Sequence, residues 1–284
     1  MVGISVIVRY VSSVAKVFLR SCNCVQKVFM MQFYSLILAL IIFLTALFGA
    51  PTHARAGKAI KAIAFDPAAQ LINVAEIYDT TSETQKTAIK ILKPAIKTTK
   101  KATGFNGLTM LKSDDGAHLI VMSQWQDLAS YQAYTAPTVA ATEQKATLAP
   151  TRTIVFEIAK SQTARENATP TIRGKEAIVQ FSDFKLKNST DSATVVSSVE
   201  KMIPAILLKQ PAPQSVIELQ SSDKTEVALM ANWNCTADFV ETGAPTPIDP
   251  PDSAIADLVT VDQHTYNVIQ LMPASEKPFK SEDS

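Results

Sequence analysis

The chain aligns on itself. Leu108–Tyr131 runs without a gap along Val216–Phe239, an offset of 108 positions, and six of the 24 pairs are identical. The identities are Leu111/Leu219, Ser113/Ser221, Asp115/Asp223, Met122/Met230, Trp125/Trp233 and Ala129/Ala237, so both tryptophans of the protein form one pair. Leu108/Val216, Leu119/Val227 and Tyr131/Phe239 keep apolar character, and the flanks follow in order. Asp79 matches Asp183, Pro94-Ala95-Ile96 matches Pro204-Ala205-Ile206, and Thr153 matches Thr265. This is a tandem duplication, and the fold must be built twice from one supersecondary unit.

Each copy reads strand, helix, strand, strand, helix, strand. In copy one, Leu71 to Asp79 is apolar and β-branched, and Ser82 is expected to cap a helix carrying Ile89, Leu92, Ala95 and Ile96 at helical spacing. Gly104 and Gly107 break the chain, and Leu108–Ser113 and His118–Trp125 form a hairpin around Asp114-Asp115-Gly116, where glycine supplies the positive φ of a tight turn. A second helix from Leu128 to about Leu148 is interrupted near Pro137, and Thr153–Ala159 is the last strand. Copy two repeats the order with Ala177–Asp183, Asp191–Leu208, the hairpin Val216–Trp233 and Thr265–Met272. Its second helix is degraded, because Pro245, Pro247, Pro250 and Pro251 cannot sit in a helix interior.

The strands do not alternate cleanly. Leu119, Val121 and Trp125 point one way, Ile120 and Met122 the other, so both faces of each sheet need cover. Helices cover one face, and the natural cover for the other is the sheet of the second copy. The expected fold class is α+β: two tandem ferredoxin-like β-α-β-β-α-β repeats, residues 66–162 and 172–273, closing an intrachain dimeric α+β barrel as a monomeric pseudo-dimer. Residues 163–171 read as a linker and 274–284 as a frayed tail.

No acidic residue precedes Asp66, whereas Arg9, Lys16, Arg20, Lys27 and Arg55 do, and residues 33–50 are uncharged. With Ala54-Arg55-Ala56 following, the segment reads as a secretory signal cleaved after Ala56; the alternative is a retained membrane anchor, because 18 uncharged residues lie at the lower limit for spanning a bilayer. Met30 or Met31 is an alternative start. Cleavage removes five cations and no anion and turns the net charge from +1 to −4, a poor balance for binding nucleic acid. It also leaves Cys235 without an intrachain disulfide partner. The eight glycines form neither G-x-G-x-x-G nor a P-loop, and the three histidines form no H-E-x-x-H. Two of those histidines and one Cys give no recognisable metal set in the mature chain.

Gly104-Phe105-Asn106-Gly107-Leu108, the hairpin, Ser123-Gln124-Trp125-Gln126-Asp127 and Ser130-Tyr131 resemble the antibiotic biosynthesis monooxygenase family of dimeric α+β barrels. The resemblance covers Leu71 to Ala159 well; copy two matches through its hairpin, Asn232-Trp233, Phe239 and the last strand. It implies the barrel fold and, among several activities, quinol oxidation without metal or flavin, on a small hydrophobic or aromatic ligand. By that resemblance the catalytic candidates are Asn73, Trp125 and His118, with Tyr134, Met122 and Tyr266 as substrate-binding candidates and no cofactor. A haem-degrading relative would need a ligating His where this chain has Gln144, and a Trp where it has Tyr134. Each candidate also has a structural reading. The tryptophans serve as paired core aromatics, His118 as a solvated strand end and Met122 as adaptable filler, while Asn73 is a buried amide in need of partners. A non-catalytic exported binding or structural barrel therefore stands beside the oxygenase.

Overall fold

A computed structural model describes residues 61–136, 148–233, 245, 248 and 253–274. The presequence, the second helix of copy one beyond Pro137, Gln144, Cys235, Phe239 and the tail beyond Ala274 lie outside the described residues.

The strands are β1 (Ala62–Ala64), β2 (Ile72–Asp79), β3 (Phe105–Ser113), β4 (His118–Trp125), β5 (Arg152–Thr163), β6 (Thr171–Arg173), β7 (Ile178–Leu186), β8 (Ser215–Ser221), β9 (Glu226–Trp233) and β10 (Val259–Pro273). The helices are α1 (Thr84–Thr99), α2 (Leu128–Thr135), α3 (Ser192–Leu207) and α4 (Ser253–Ala256). Eight strands close a barrel in the order β10-β3-β4-β2-β5-β8-β9-β7, with β7 returning to β10. Every pairing is antiparallel. The α+β barrel within one chain is the architecture expected from the duplication.

Closure depends on the last strand of each copy, which serves two sheets. One stretch of β5 pairs with β2 of its own copy and its C-terminal part with β8 of the other; β10 likewise pairs with β7 and then β3, with a bulge along each inter-copy ladder. Both strands exceed the expected Thr153–Ala159 and Thr265–Met272: Lys160–Thr163 of β5 are added by the inter-copy ladder to β8, and Val259–His264 of β10 by a longer ladder to β7 of its own copy.

Alternation then sorts the side chains. Ala75, Ile77, Ile120, Met122, Ile154, Phe156, Val179, Phe181, Ile217, Met230, Tyr266 and Val268 fill the lumen as one buried cluster. On the outer face Leu92 and Ile96 of α1 pack on Leu108, Met110, Leu119 and Val121, while Val195, Val199, Ile203 and Ile206 of α3 pack on Val216, Val227 and Leu229. Both helices carry a proline in their C-terminal halves, Pro94 and Pro204. Ser82 does not cap α1: the Thr81 amide donates to Thr84 Oγ1 at 2.8 Å and the Thr84 amide to Thr81 Oγ1 at 3.3 Å. Ser82 instead lies beneath the Gly116 turn, where a Cβ would meet its backbone at 2.8 Å. Gly116 has φ +81°, and its repeat partner Lys224 holds the same left-handed turn at φ 60°.

The region read as a linker is partly structured. β6 pairs with β1 as a separate two-stranded ribbon, Ala64 opposite Thr171, and Ile63, Phe65 and Ile172 enter the lumen cluster. The ribbon closes one end of the barrel. Gln124 Nε2 donates to the Ala64 carbonyl at 2.8 Å, and its repeat equivalent Asn232 donates through Nδ2 to the Thr171 carbonyl at 2.8 Å.

One carboxylate breaks the outer face of copy two. Glu218 is 0% exposed on β8, and neither of its carboxylate oxygens has a hydrogen-bond partner. Burial, then the charge of Glu200, pushes its pKa from 4.5 up to about 8 against the pull of Lys160. The folded chain thus binds this proton more tightly than the unfolded one, so stability falls as pH rises from about 4.5 through 8. Glu218→Gln should remove that slope, matching the wild type at pH ~4 and exceeding it by on the order of 2 kcal/mol near pH 8. Urea unfolding at the two pH values measures this.

Candidate functional site

The sequence-derived candidates fall in three places. Asn73 and Met122 face the lumen, 0% and 1% exposed. Asn73 Oδ1 accepts from Gln124 Nε2 at 3.1 Å and its Nδ2 is unpartnered, the buried amide foreseen, but it is enclosed among packed side chains. Trp125 lies on the opposite face of the same sheet, since Asn73 pairs with Gln124 and Ile72 with Trp125. His118 starts β4 opposite Asp79, six residues along β2 from Asn73, or roughly 20 Å. Asn73, Trp125 and His118 therefore do not converge on one reacting atom.

The first place is the outer face of copy one around Trp125. Trp125 is 0% exposed; its indole N–H donates to Ser123 Oγ at 2.9 Å. Three aromatic rings surround it: Phe105 edge-on at 5.6 Å, Tyr131 edge-on at 5.7 Å, and Tyr134 tilted by 33° at 5.1 Å. Tyr134 shares a 2.7 Å hydrogen bond with Thr99 of α1. Beneath α2 the half-buried Glu76 carboxylate of β2 accepts the hydroxyl of Tyr78 at 3.2 Å and that of Tyr131 at 3.3 Å. Burial, reinforced by Glu76, raises both tyrosine pKa values well above their ordinary position, so both remain donors. Asp127 caps α2 by accepting from the Ser130 amide at 2.7 Å, yet none of the helix's eight residues is buried. In copy two, the corresponding surface around Trp233 is sealed by Ile248 and Ile255, and the Trp233 indole donates to the Pro211 carbonyl at 3.0 Å.

The second place is the barrel mouth opposite the ribbon. By alternation from lumen residues, Asp79, His118 and Arg152 of copy one and Asp183, Glu226, Asp262 and His264 of copy two face inward there. The repeat pairs Asp79 with Asp183, His118 with Glu226 and Arg152 with His264. Despite that equivalence the two halves differ in chemistry. Arg152 bridges Asp183 at 2.8 Å and Glu226 at 3.1 Å. Burial raises the Asp183 pKa against the pull of Arg152, and burial with the neighbouring Asp183 pushes Glu226 up to about 7. In the other half, His118 and His264 meet edge to face at 4.6 Å. Their Nε2 atoms lie 3.5 and 2.8 Å from the two oxygens of Asp262. Each Nδ1 faces a further carboxylate, Asp79 at 3.2 Å and Asp115 at 2.6 Å. A cavity of about 240 Å³ opens at this mouth, lined by Asp79, His118, Arg152, Asp183, Lys185, Thr260 and Asp262. Tyr266 sits just below, 2% exposed, edge-on to His264 at 6.2 Å, its pKa raised by burial and then by Asp262.

The structure thus brings Trp125 and Tyr134 together on the outer face of copy one, and His118 and Tyr266 to the mouth. Sequence reading passed over Glu76, whose signal was a lone acid inside an apolar strand. It also passed over Arg152, Asp183, Glu226 and Asp262, which look like ordinary strand-end charges until the barrel closes.

No protein-family model matches the chain, and no curated protein does. Among solved structures, an anthrone oxidase-like protein matches with TM-score 0.60 at 16% identity, over 76% of this chain and 98% of its own. A monooxygenase-like protein from Listeria innocua matches with TM-score 0.36 at 11% identity, over 69% of this chain and 94% of its own. A ferredoxin-fold protein related to antibiotic biosynthesis monooxygenases, from Listeria monocytogenes, matches with TM-score 0.34 at 11% identity, over 72% and 99%. The first match extends over more of the chain than either repeat holds, and with the strand order it defines the fold: a dimeric-type α+β barrel with both halves in one polypeptide.

The Arg152 triad carries its own test. Arg152→Met leaves two inward carboxylates without their cation, a loss of roughly 3 kcal/mol at pH 8. The loss should shrink toward pH 5, where the raised groups Asp183 and Glu226 take up protons. Denaturant midpoints of variant and wild type at the two pH values check the sign.

Proposed function

We propose that the protein is exported and acts as a monooxygenase on a small phenolic or quinol-type molecule bound on the outer face of copy one around Trp125. The observation that carries this reading is the Glu76 carboxylate, held between two tyrosine hydroxyls beside the buried Trp125, under a helix that buries none of its own residues. An aromatic ring can join the Trp125–Tyr134 stack while its hydroxyl replaces that of Tyr131 at Glu76. Glu76 then takes the hydroxyl proton, and the resulting phenolate is electron-rich enough to reduce O2 directly. One oxygen atom enters the ring and the other leaves as water with the released protons, so that phenol and O2 give quinone and water. The likeness in fold to an anthrone oxidase-like protein supports the reaction class.

The filled lumen favours a second reading, a binding barrel without turnover, because a pocket beside Asn73 has no room among these packed side chains. The two are separated by titrating a panel of hydroquinones and naphthols against tryptophan emission while following oxygen uptake. Under the oxygenase reading, Trp125→Leu weakens binding about tenfold, and Glu76→Gln lowers turnover by at least about 100-fold with binding retained. Binding without oxygen uptake establishes the second reading instead, and binding indifferent to Trp125→Leu overturns the Trp125 site itself.

Export rests on the sequence of residues 1–56. The secreted or periplasmic form should begin at Gly57 by intact-mass measurement. Full-length chain recovered in the membrane fraction would establish the anchor instead.

A further inference from the structure

We propose that His118, Asp262 and His264 form a binding site for a borderline divalent transition ion of the zinc class, built across the two repeats at the barrel mouth. The site stands apart from the Trp125 site, and neither depends on the other.

The donor atoms are already gathered. One ring nitrogen of each histidine and one carboxylate oxygen of Asp262 lie within 4.8 Å of one another. The Nε2 atoms lie 3.5 Å from Oδ2 and 2.8 Å from Oδ1 of Asp262, separations near the ~3.3 Å edge of a tetrahedron with bonds near 2.05 Å. Binding therefore needs only side-chain adjustment on strands whose register the barrel fixes. Two imidazoles and one carboxylate suit zinc, cobalt, nickel or ferrous iron better than calcium or magnesium, which take mainly oxygen ligands.

The outer contacts have the form that holds ligating histidines in place. His264 Nδ1 is hydrogen-bonded to Asp115 at 2.6 Å, so this ring is oriented by a carboxylate while its Nε2 faces Asp262; His118 Nδ1 lies 3.2 Å from Asp79 without a hydrogen bond. This carboxylate–histidine arrangement fixes the tautomer and raises the basicity of the ligating nitrogen. Both ring nitrogens of His264 face carboxylate oxygens, Asp115 at 2.6 Å and Asp262 at 2.8 Å.

The charge balance of the pseudo-symmetric mouth points the same way. In one half Arg152 neutralises Asp183 and Glu226. The equivalent half gathers Asp79, Asp115 and Asp262 around two histidines, and no lysine or arginine forms an ion pair there among the described residues. A divalent ion takes the place that Arg152 holds opposite. With three protein ligands it keeps a coordination position for water or a small anion, and the adjoining cavity has Arg152 and Lys185 on its wall.

Calorimetric titration of the full-length protein with Zn2+ tests the proposal, alongside Co2+ absorption spectra. One ion per chain should bind in the micromolar range or tighter, and Co2+ should give visible d–d bands. His264→Gln and Asp262→Asn should each weaken binding at least 100-fold, and Asp115→Asn, which touches only the outer contact, about tenfold. Should those variants unfold, long-range 1H–15N spectra of the wild type serve the same purpose: Zn2+ should move the Nε2 resonances of two histidines and leave the third unmoved. Zn2+ affinity unchanged in His264→Gln, resonances of both mouth histidines unmoved, or Ca2+ and Mg2+ binding as tightly as Zn2+ would each overturn the site.

Discussion

The structure depends on two inter-copy ladders, β5 with β8 and β10 with β3. Without them each copy is an open four-stranded sheet with one helix-covered face and one bare apolar face, and two unpaired edges. Those edges would expose a row of backbone donors and acceptors. With the ladders in place both edges disappear, and the bare faces become a single lumen packed from both copies. Residues as distant as Phe65 and Tyr266 then share one core. Carrying both halves on one chain makes that closure intramolecular.

A closed barrel has two ends, and the chain treats them differently. The ribbon β1–β6, drawn from the segments that precede each copy, covers one end and is clasped by the equivalent amides Gln124 and Asn232. At the other end no apolar cover is present among the described residues. The inward positions there carry charge, and the pairing is set by which copy contributes the cation. Arg152 and His264 occupy equivalent positions, but a guanidinium spans two carboxylates with its fork, whereas an imidazole presents one nitrogen to each side. Duplication thus supplied two copies of one geometry, and substitution made two kinds of polar site from it.

The outer faces have diverged in the same way. Copy two is sealed by aliphatic packing under α3 and around Trp233. Copy one keeps tyrosines and a carboxylate around Trp125, groups that are useful to a polar aromatic ligand and of little use to a core. The equivalent tryptophans therefore share a scaffolding role, and among the described residues those around Trp125 include tyrosine hydroxyls hydrogen-bonded to a carboxylate.

Sequence by itself determined the duplication, the α+β class, the hairpins with their left-handed turn residues, and which side chains share a face of β4. All of these rest on local periodicity, turn stereochemistry or self-similarity, which are properties of contiguous residues. It also pointed to Asn73 as a buried amide and named Trp125 and Tyr134 as separate candidates, whose rings the structure brings to 5.1 Å. Only the tertiary structure decided that Asn73 and Trp125 lie on opposite faces, that β1 and β6 form a ribbon closing the lumen, and that His118 meets a histidine 146 positions away. Asp115 and His264, in contact at 2.6 Å, are separated by 149 positions. No spacing rule links such residues, because their proximity is created by the register between strands of different copies, and that register exists only once the barrel has closed.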